Sequence, residues 1–133
     1  MKVTRSGFLK IFGASFLALV FRPFSSALAQ AKKLAIPLAK AEKVKQVGGW
    51  AVLQVKDQKI LFVREAETSI RAFDPICTHQ QCEVAYSAAD KNLHCPCHHS
   101  TFDLTGKLLS GPAPAPLKTY PASLNGDKII VEV

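Results

Sequence analysis

All four cysteines of this 133-residue chain fall between residues 77 and 97, in Cys77-Thr78-His79-Gln80-Gln81-Cys82 and Cys95-Pro96-Cys97-His98-His99-Ser100. A disulfide scaffold spreads its cysteines along the chain, so clustering this tight points to one local site. Cys77 and His79 form a C-x-H pair and Cys95 and His98 a C-x-x-H pair, with fifteen residues between His79 and Cys95. Each pair offers one thiolate and one imidazole from a tight loop. Two such loops, facing each other, enclose one metal centre. Zinc accepts these residue types at short spacing. A four-ligand zinc site, however, leaves Cys82 and Cys97 without a role and the run Gly111-Pro112-Ala113-Pro114 without a purpose.

The chain begins with a basic segment (Lys2, Arg5, Lys10), an apolar run over residues 11–21, and Ala27-Leu28-Ala29. That is the pattern of an export signal, expected over residues 1–29. Thr4-Arg5-Ser6-Gly7-Phe8-Leu9-Lys10 resembles the twin-arginine export pattern, with Ser6 where the second arginine belongs. A spanning helix needs about 20 apolar residues, and Arg22-Pro23 interrupts this run. Extending it buries Arg22 at a cost of about 2.5–3.5 kcal/mol, which favours cleavage; a retained leader makes a membrane anchor. Either way residues 30–133 are expected outside the cytoplasm, periplasmic or on the outer face of the cytoplasmic membrane, where a disulfide persists.

Residues 30–133 have room for one domain. With 48% apolar and 20% charged residues the chain as a whole is globular rather than disordered. Four of its 17 basic residues precede residue 30, leaving 13 against 10 acidic ones. No basic cluster is interleaved with aromatics, so nucleic acid is not an expected partner. Residues 30–46 read as an edge strand and a loop. Residues 50–55 and 60–64 flank Lys56-Asp57-Gln58-Lys59 as a hairpin, and residues 70–73 form a strand leading to Cys77. Residues 122–124 and 128–133 flank Asn125-Gly126, the strongest short hairpin signal. β segments thus bracket a loop-rich stretch holding every cysteine and histidine, the layout of a small all-β domain with an insertion.

The two cysteine–histidine segments and the proline run together resemble the Rieske iron–sulfur family, whose pattern is C-T-H-x-x-C, then C-P-C-H-x-S, then a proline loop. The resemblance is close over about residues 70–115. It implies an antiparallel β sandwich or barrel base over residues 30–133, carrying a cluster-binding subdomain at about residues 75–115. It implies a [2Fe–2S] cluster with Cys77 and Cys95 on one iron and His79 and His98 on the other, and a Cys82–Cys97 disulfide tying the loops together. Two ferric irons, two sulfides and two thiolates sum to zero charge, whereas four thiolates leave a dianion. An electron therefore enters more readily, at about −150 to +300 mV against about −400 mV for plant-type ferredoxins. The disulfide sets the chain apart from cytoplasmic Rieske ferredoxins and beside the high-potential group of quinol:cytochrome oxidoreductases.

By the same resemblance Ser100 donates its hydroxyl to a bridging sulfide. Phe102 stands where the high-potential group commonly has a tyrosine that donates to a ligand sulfur, so the expected potential is below that of tyrosine-containing members. Gln80 and Gln81 replace an apolar residue and a glycine, giving a more polar tip, and His99 replaces a glycine. Gly111, Pro112 and Pro114 are expected to cover the cluster from a third side, with the prolines leaving no N–H unmet. The expected function is one-electron transfer, as an exported carrier between redox partners such as a cytochrome. The alternative is a subunit of a membrane quinol:cytochrome complex or of a molybdenum oxidase such as arsenite oxidase, catalytic only within that assembly. An oxygenase needs a mononuclear iron held by two histidines and a carboxylate, and no histidine follows His99.

Overall fold

Ile60, Leu61, Phe62 and Val63 are consecutive and all fully buried, which a strand achieves only when both its faces are covered. This run lies in an inner strand of the middle layer. The computed structural model describes residues 31–78 and 81–133. The expected export signal over 1–29 lies outside the described residues, as do His79 and Gln80.

The middle layer is a four-stranded antiparallel sheet of β2 (Trp50–Val55), β3 (Gln58–Ala66), β4 (Ser69–Phe73) and β9 (Thr119–Tyr120), in the order β2-β3-β4-β9. Side chains alternate across a strand, so β3 feeds two cores. Leu61 and Val63 pack with Phe73, Tyr86, Leu93 and Phe102 on one side. Ile60 and Phe62 pack with Ile70, Ala72, Ile129 and Val131 on the other. Each Val, Leu, Ile or Phe side chain among them stabilises the fold by about 1.5–3 kcal/mol on burial.

The outer layer on the second core is the sheet β1-β11-β10, built from β1 (Lys33–Pro37), β10 (Ala122–Asn125) and β11 (Lys128–Glu132). β1 lies at its edge, as the sequence suggests, and two 3-10 turns follow (Leu38–Lys40 and Glu42–Val44). The layer on the first core is the sheet β5-β6-β7-β8, comprising β5 (Ala85–Ser87), β6 (Asn92–His94), β7 (Thr101–Phe102) and β8 (Leu108–Ser110). The segment read as loop-rich therefore carries a sheet of its own. Its strands are two or three residues long, too short for any hydrophobic period to register.

Two turns differ from expectation by small shifts. Val55 pairs with Gln58, so the first hairpin turns on Lys56-Asp57 alone, with Lys56 at φ 54. Asn125 pairs with Lys128, which makes Gly126-Asp127 the turning pair with glycine first, at φ 58, the arrangement of a hairpin turn that needs glycine at its first central position.

Candidate metal centre

The two cysteine segments fold into the same loop, eighteen residues apart. In the first, Ile76 bridges Glu83, the Cys77 N–H donates to the Cys82 carbonyl (2.7 Å), and the Gln81 N–H donates back to the Cys77 carbonyl (3.1 Å). In the second, His94 pairs with Thr101, the Cys95 N–H donates to the Ser100 carbonyl (2.8 Å), and the His99 N–H donates to the Cys95 carbonyl (3.0 Å). The residue four past each leading cysteine takes the left-handed conformation: Gln81 at φ 57 and His99 at φ 59. That twist closes each loop, at a position where glycine is the cheapest residue. Both leading cysteines, Cys77 and Cys95, are 1% exposed and sit in the wall of the first core beside Phe102, which is fully buried.

Cys82 and Cys97 are disulfide-bonded across a sequence separation of 15, with Cα atoms 6.4 Å apart, within the usual range for the bond. The bridge joins the end of the first loop to the middle of the second. Cys77 and Cys95 lie outside it. Both are buried and neither takes part in the bridge. Lys59 of β3 also forms an exposed ion pair with Glu83, just past the first loop.

The proline segment touches both loops. Ser100, fully buried, accepts the Ala113 N–H at its Oγ (3.2 Å), and the hydroxyl keeps its own proton to donate. Thr78 Oγ1 donates to the Ala115 carbonyl (2.9 Å). Gly111, at φ 102, lies so close to Ser100 that an added Cβ would stand 2.4 Å from the Ser100 Cα. Farther along, the Leu117 N–H donates to the Gly106 carbonyl (2.8 Å). The turn presenting Gly106 is held by Asp103, whose Oδ1 accepts from the Thr105 N–H and hydroxyl (2.8 and 2.6 Å) and the Lys107 N–H (3.0 Å). Those bonds, the Thr105 hydroxyl foremost, hold the Asp103 carboxyl below its ordinary range.

The structure brings Cys77, Cys95, Cys82, Cys97, Ser100, Phe102 and Gly111 into one neighbourhood, with Pro112 and Pro114 flanking the Ala113 that bonds to Ser100. His98 is exposed on the second loop; His79 lies outside the described residues. Among the described residues no three His, Cys, Asp or Glu side chains converge as a site for a single ion. Sequence reasoning did not single out Thr78 or the Asp103 turn. The C-T-H motif contains the first, and an Asp two residues before a Thr is a local signal for the second.

The donor set suits an iron–sulfur cluster: two buried thiols in an apolar wall, an exposed imidazole, and a buried hydroxyl able to donate. Residues 35–121 match the family model for the Rieske [2Fe–2S] domain. The chain is 36% identical over 96 residues to the cytochrome b6-f complex iron-sulfur subunit of Chlorobaculum thiosulfatiphilum, covering 72% of this chain and 52% of that protein. It therefore spans about half the length of that curated relative. Among solved structures, the plasma membrane Rieske protein of the cyanobacterium Synechocystis PCC 6803 is 29% identical with a TM-score of 0.60, covering 75% of this chain and 99% of that one. A chain of a hyperthermophilic respiratory Complex III is 25% identical with a TM-score of 0.56, over 84% of this chain and 82% of that one. No helix among the described residues is long and apolar enough to cross a membrane.

Proposed function

This chain belongs to the Rieske [2Fe–2S] family, and from that premise we propose that residues 30–133 act as an exported one-electron carrier, with residues 1–29 directing export. The observation that carries this reading is the pair of matched loops, each burying one cysteine and locked to the other by Cys82–Cys97. When bound, the cluster takes up and releases one electron. Cys77 and Cys95 are assigned as its thiolate ligands and His79 and His98 as its imidazole ligands. Ser100 is assigned to donate to the cluster, a role supported by its oxygen accepting the Ala113 N–H, which leaves the hydroxyl proton available. Phe102 supplies apolar wall and no hydrogen bond.

We take the exposed surface of the second loop at His98 and of the adjoining proline segment at Pro112 and Pro114 as one face. It is the face on which a redox partner, a cytochrome or an oxidoreductase subunit, is expected to dock, and the route by which the electron leaves. The second reading is a subunit of a membrane quinol:cytochrome complex, favoured because the curated relative from Chlorobaculum is a cytochrome b6-f subunit. Low-temperature EPR of separated periplasmic and membrane fractions, redox-titrated at two pH values, tests both. A Rieske-type signal in the soluble fraction supports the carrier. The same signal held in membranes, with a midpoint falling as pH rises, supports the complex subunit. No such signal, with zinc in the protein instead, overturns both.

A further inference from the structure

We propose that His94 and His99 form a second, separate metal site: a bis-imidazole site for one borderline divalent cation, Zn2+ being the type, on the outer face of the second loop. The two rings lie with centroids 5.5 Å apart and planes tilted by 44°. Two imidazoles sharing one tetrahedral ion at about 2.0–2.1 Å per bond have centroids about 5 Å apart, so the pair stands close to the spacing that coordination requires.

The backbone fixes that spacing. His94 is the last residue of β6 and pairs with Thr101; His99 is tied to the Cys95 carbonyl by its own N–H. His99 takes φ 59, a conformation uncommon for any residue but glycine, and in doing so sets its ring beside that of His94. Both ends being anchored by the hairpin, little conformational freedom is lost on binding. His94 also lines an open cavity of about 360 Å3 together with Ser87, Asp90, Asn92 and Thr101, so its ring borders space that solvent can enter. With the two imidazoles as the proposed protein ligands, water completes the coordination shell. Imidazole donors select zinc, copper and nickel over calcium and magnesium, which take oxygen ligands.

An ion there places positive charge beside the loop that carries His98. Positive charge favours the more negative, reduced form of the cluster, so occupancy raises the midpoint. On the proposed reading of an exported domain, the site thereby couples divalent-metal availability outside the cytoplasm to the driving force of electron transfer. The cluster serves only as a reporter here; the site itself rests on the two histidines.

The test is calorimetric titration of Zn2+ into the full-length, cluster-loaded, oxidised protein, with an EPR-monitored redox titration before and after. The expected result is one bound equivalent, an unchanged cluster content and a higher midpoint. His99→Gly, which takes φ 59 without strain, and His94→Gln are each expected to weaken binding at least tenfold and to remove the shift in midpoint. Binding that survives both substitutions, no binding at all, or loss of the cluster signal as zinc displaces iron overturns the proposal. None of these outcomes alters the cluster assignment, which stands on the EPR signal of the zinc-free protein.

Discussion

Gly111 packs its bare Cα against Ser100 so closely that no side chain fits between them: a Cβ would lie 2.4 Å from the Ser100 Cα and 2.7 Å from its Oγ. The obstruction is backbone, which cannot swing away. Gly111→Ala is therefore expected to push the proline segment off the second loop and break the Ala113–Ser100 hydrogen bond. Overpacking of this kind costs about 1–3 kcal/mol, and the φ of 102 adds strain. Gly126→Ala is the comparison, because nothing lies within 4 Å of its added methyl, leaving only the left-handed backbone at about 1–2 kcal/mol. Thermal unfolding of the two variants, with cluster EPR, checks the prediction: only Gly111→Ala should disturb the signal.

Ser100 and Phe102 are expected to move the midpoint in opposite directions when changed. Ser100→Ala removes a donor and lowers it, and strands the buried Ala113 N–H at a cost of about 1–3 kcal/mol. Phe102→Tyr adds a hydroxyl at a position with no exposure. If a ligand sulfur accepts from that hydroxyl, the midpoint rises with little loss of stability. Redox titration of both variants is decisive: a Phe102→Tyr protein that is destabilised and has an unchanged midpoint shows that no sulfur is within reach.

Much of this was legible before any coordinates, and the reasons are local. The run over 60–64 reads as a strand, though its burial on both faces shows only in the structure, and Trp50–Val55, Ser69–Phe73 and Lys128–Glu132 carry enough β-favouring residues to be placed within a residue or two. The cysteine spacing singles out the site because so few arrangements use that pattern. The β5–β8 sheet was illegible because its strands are fixed by pairing between the cysteine loops rather than by their own periodicity. The repeat of one loop geometry in two unlike sequences was hidden for a related reason. Gln81 and His99 share a conformation that sequence normally signals with glycine.

The Asp103 turn makes a prediction about acid. Its carboxyl is held below the ordinary range by the Thr105 and Lys107 donors. A depressed folded value stabilises the protein above the unfolded value, about 3.9, and that contribution is lost as pH falls through the folded one. The turn presents the Gly106 carbonyl to Leu117, so the far end of the proline segment should loosen below about pH 4. Asp103→Asn removes the ionisation and is expected to flatten the dependence of unfolding free energy on pH in that window, as read by denaturant melts from about pH 2 to 6. An unchanged slope sinks the assignment.

The Cys82–Cys97 bridge can be separated from the cluster ligands by replacing both its cysteines at once. The bond closes a loop over a sequence separation of 15, worth about 3 kcal/mol in the chain-entropy model. It also fixes the distance between the loops carrying Cys77 and Cys95. The double substitution Cys82→Ala with Cys97→Ala is thus expected to lower the unfolding free energy by about that amount and to speed loss of the cluster on standing. The Rieske-type signal should still form at first, since the buried thiols remain. If no signal forms at all in the folded double variant, the bridge does more than restrain the loops, and Cys82 or Cys97 belongs among the groups that hold the cluster.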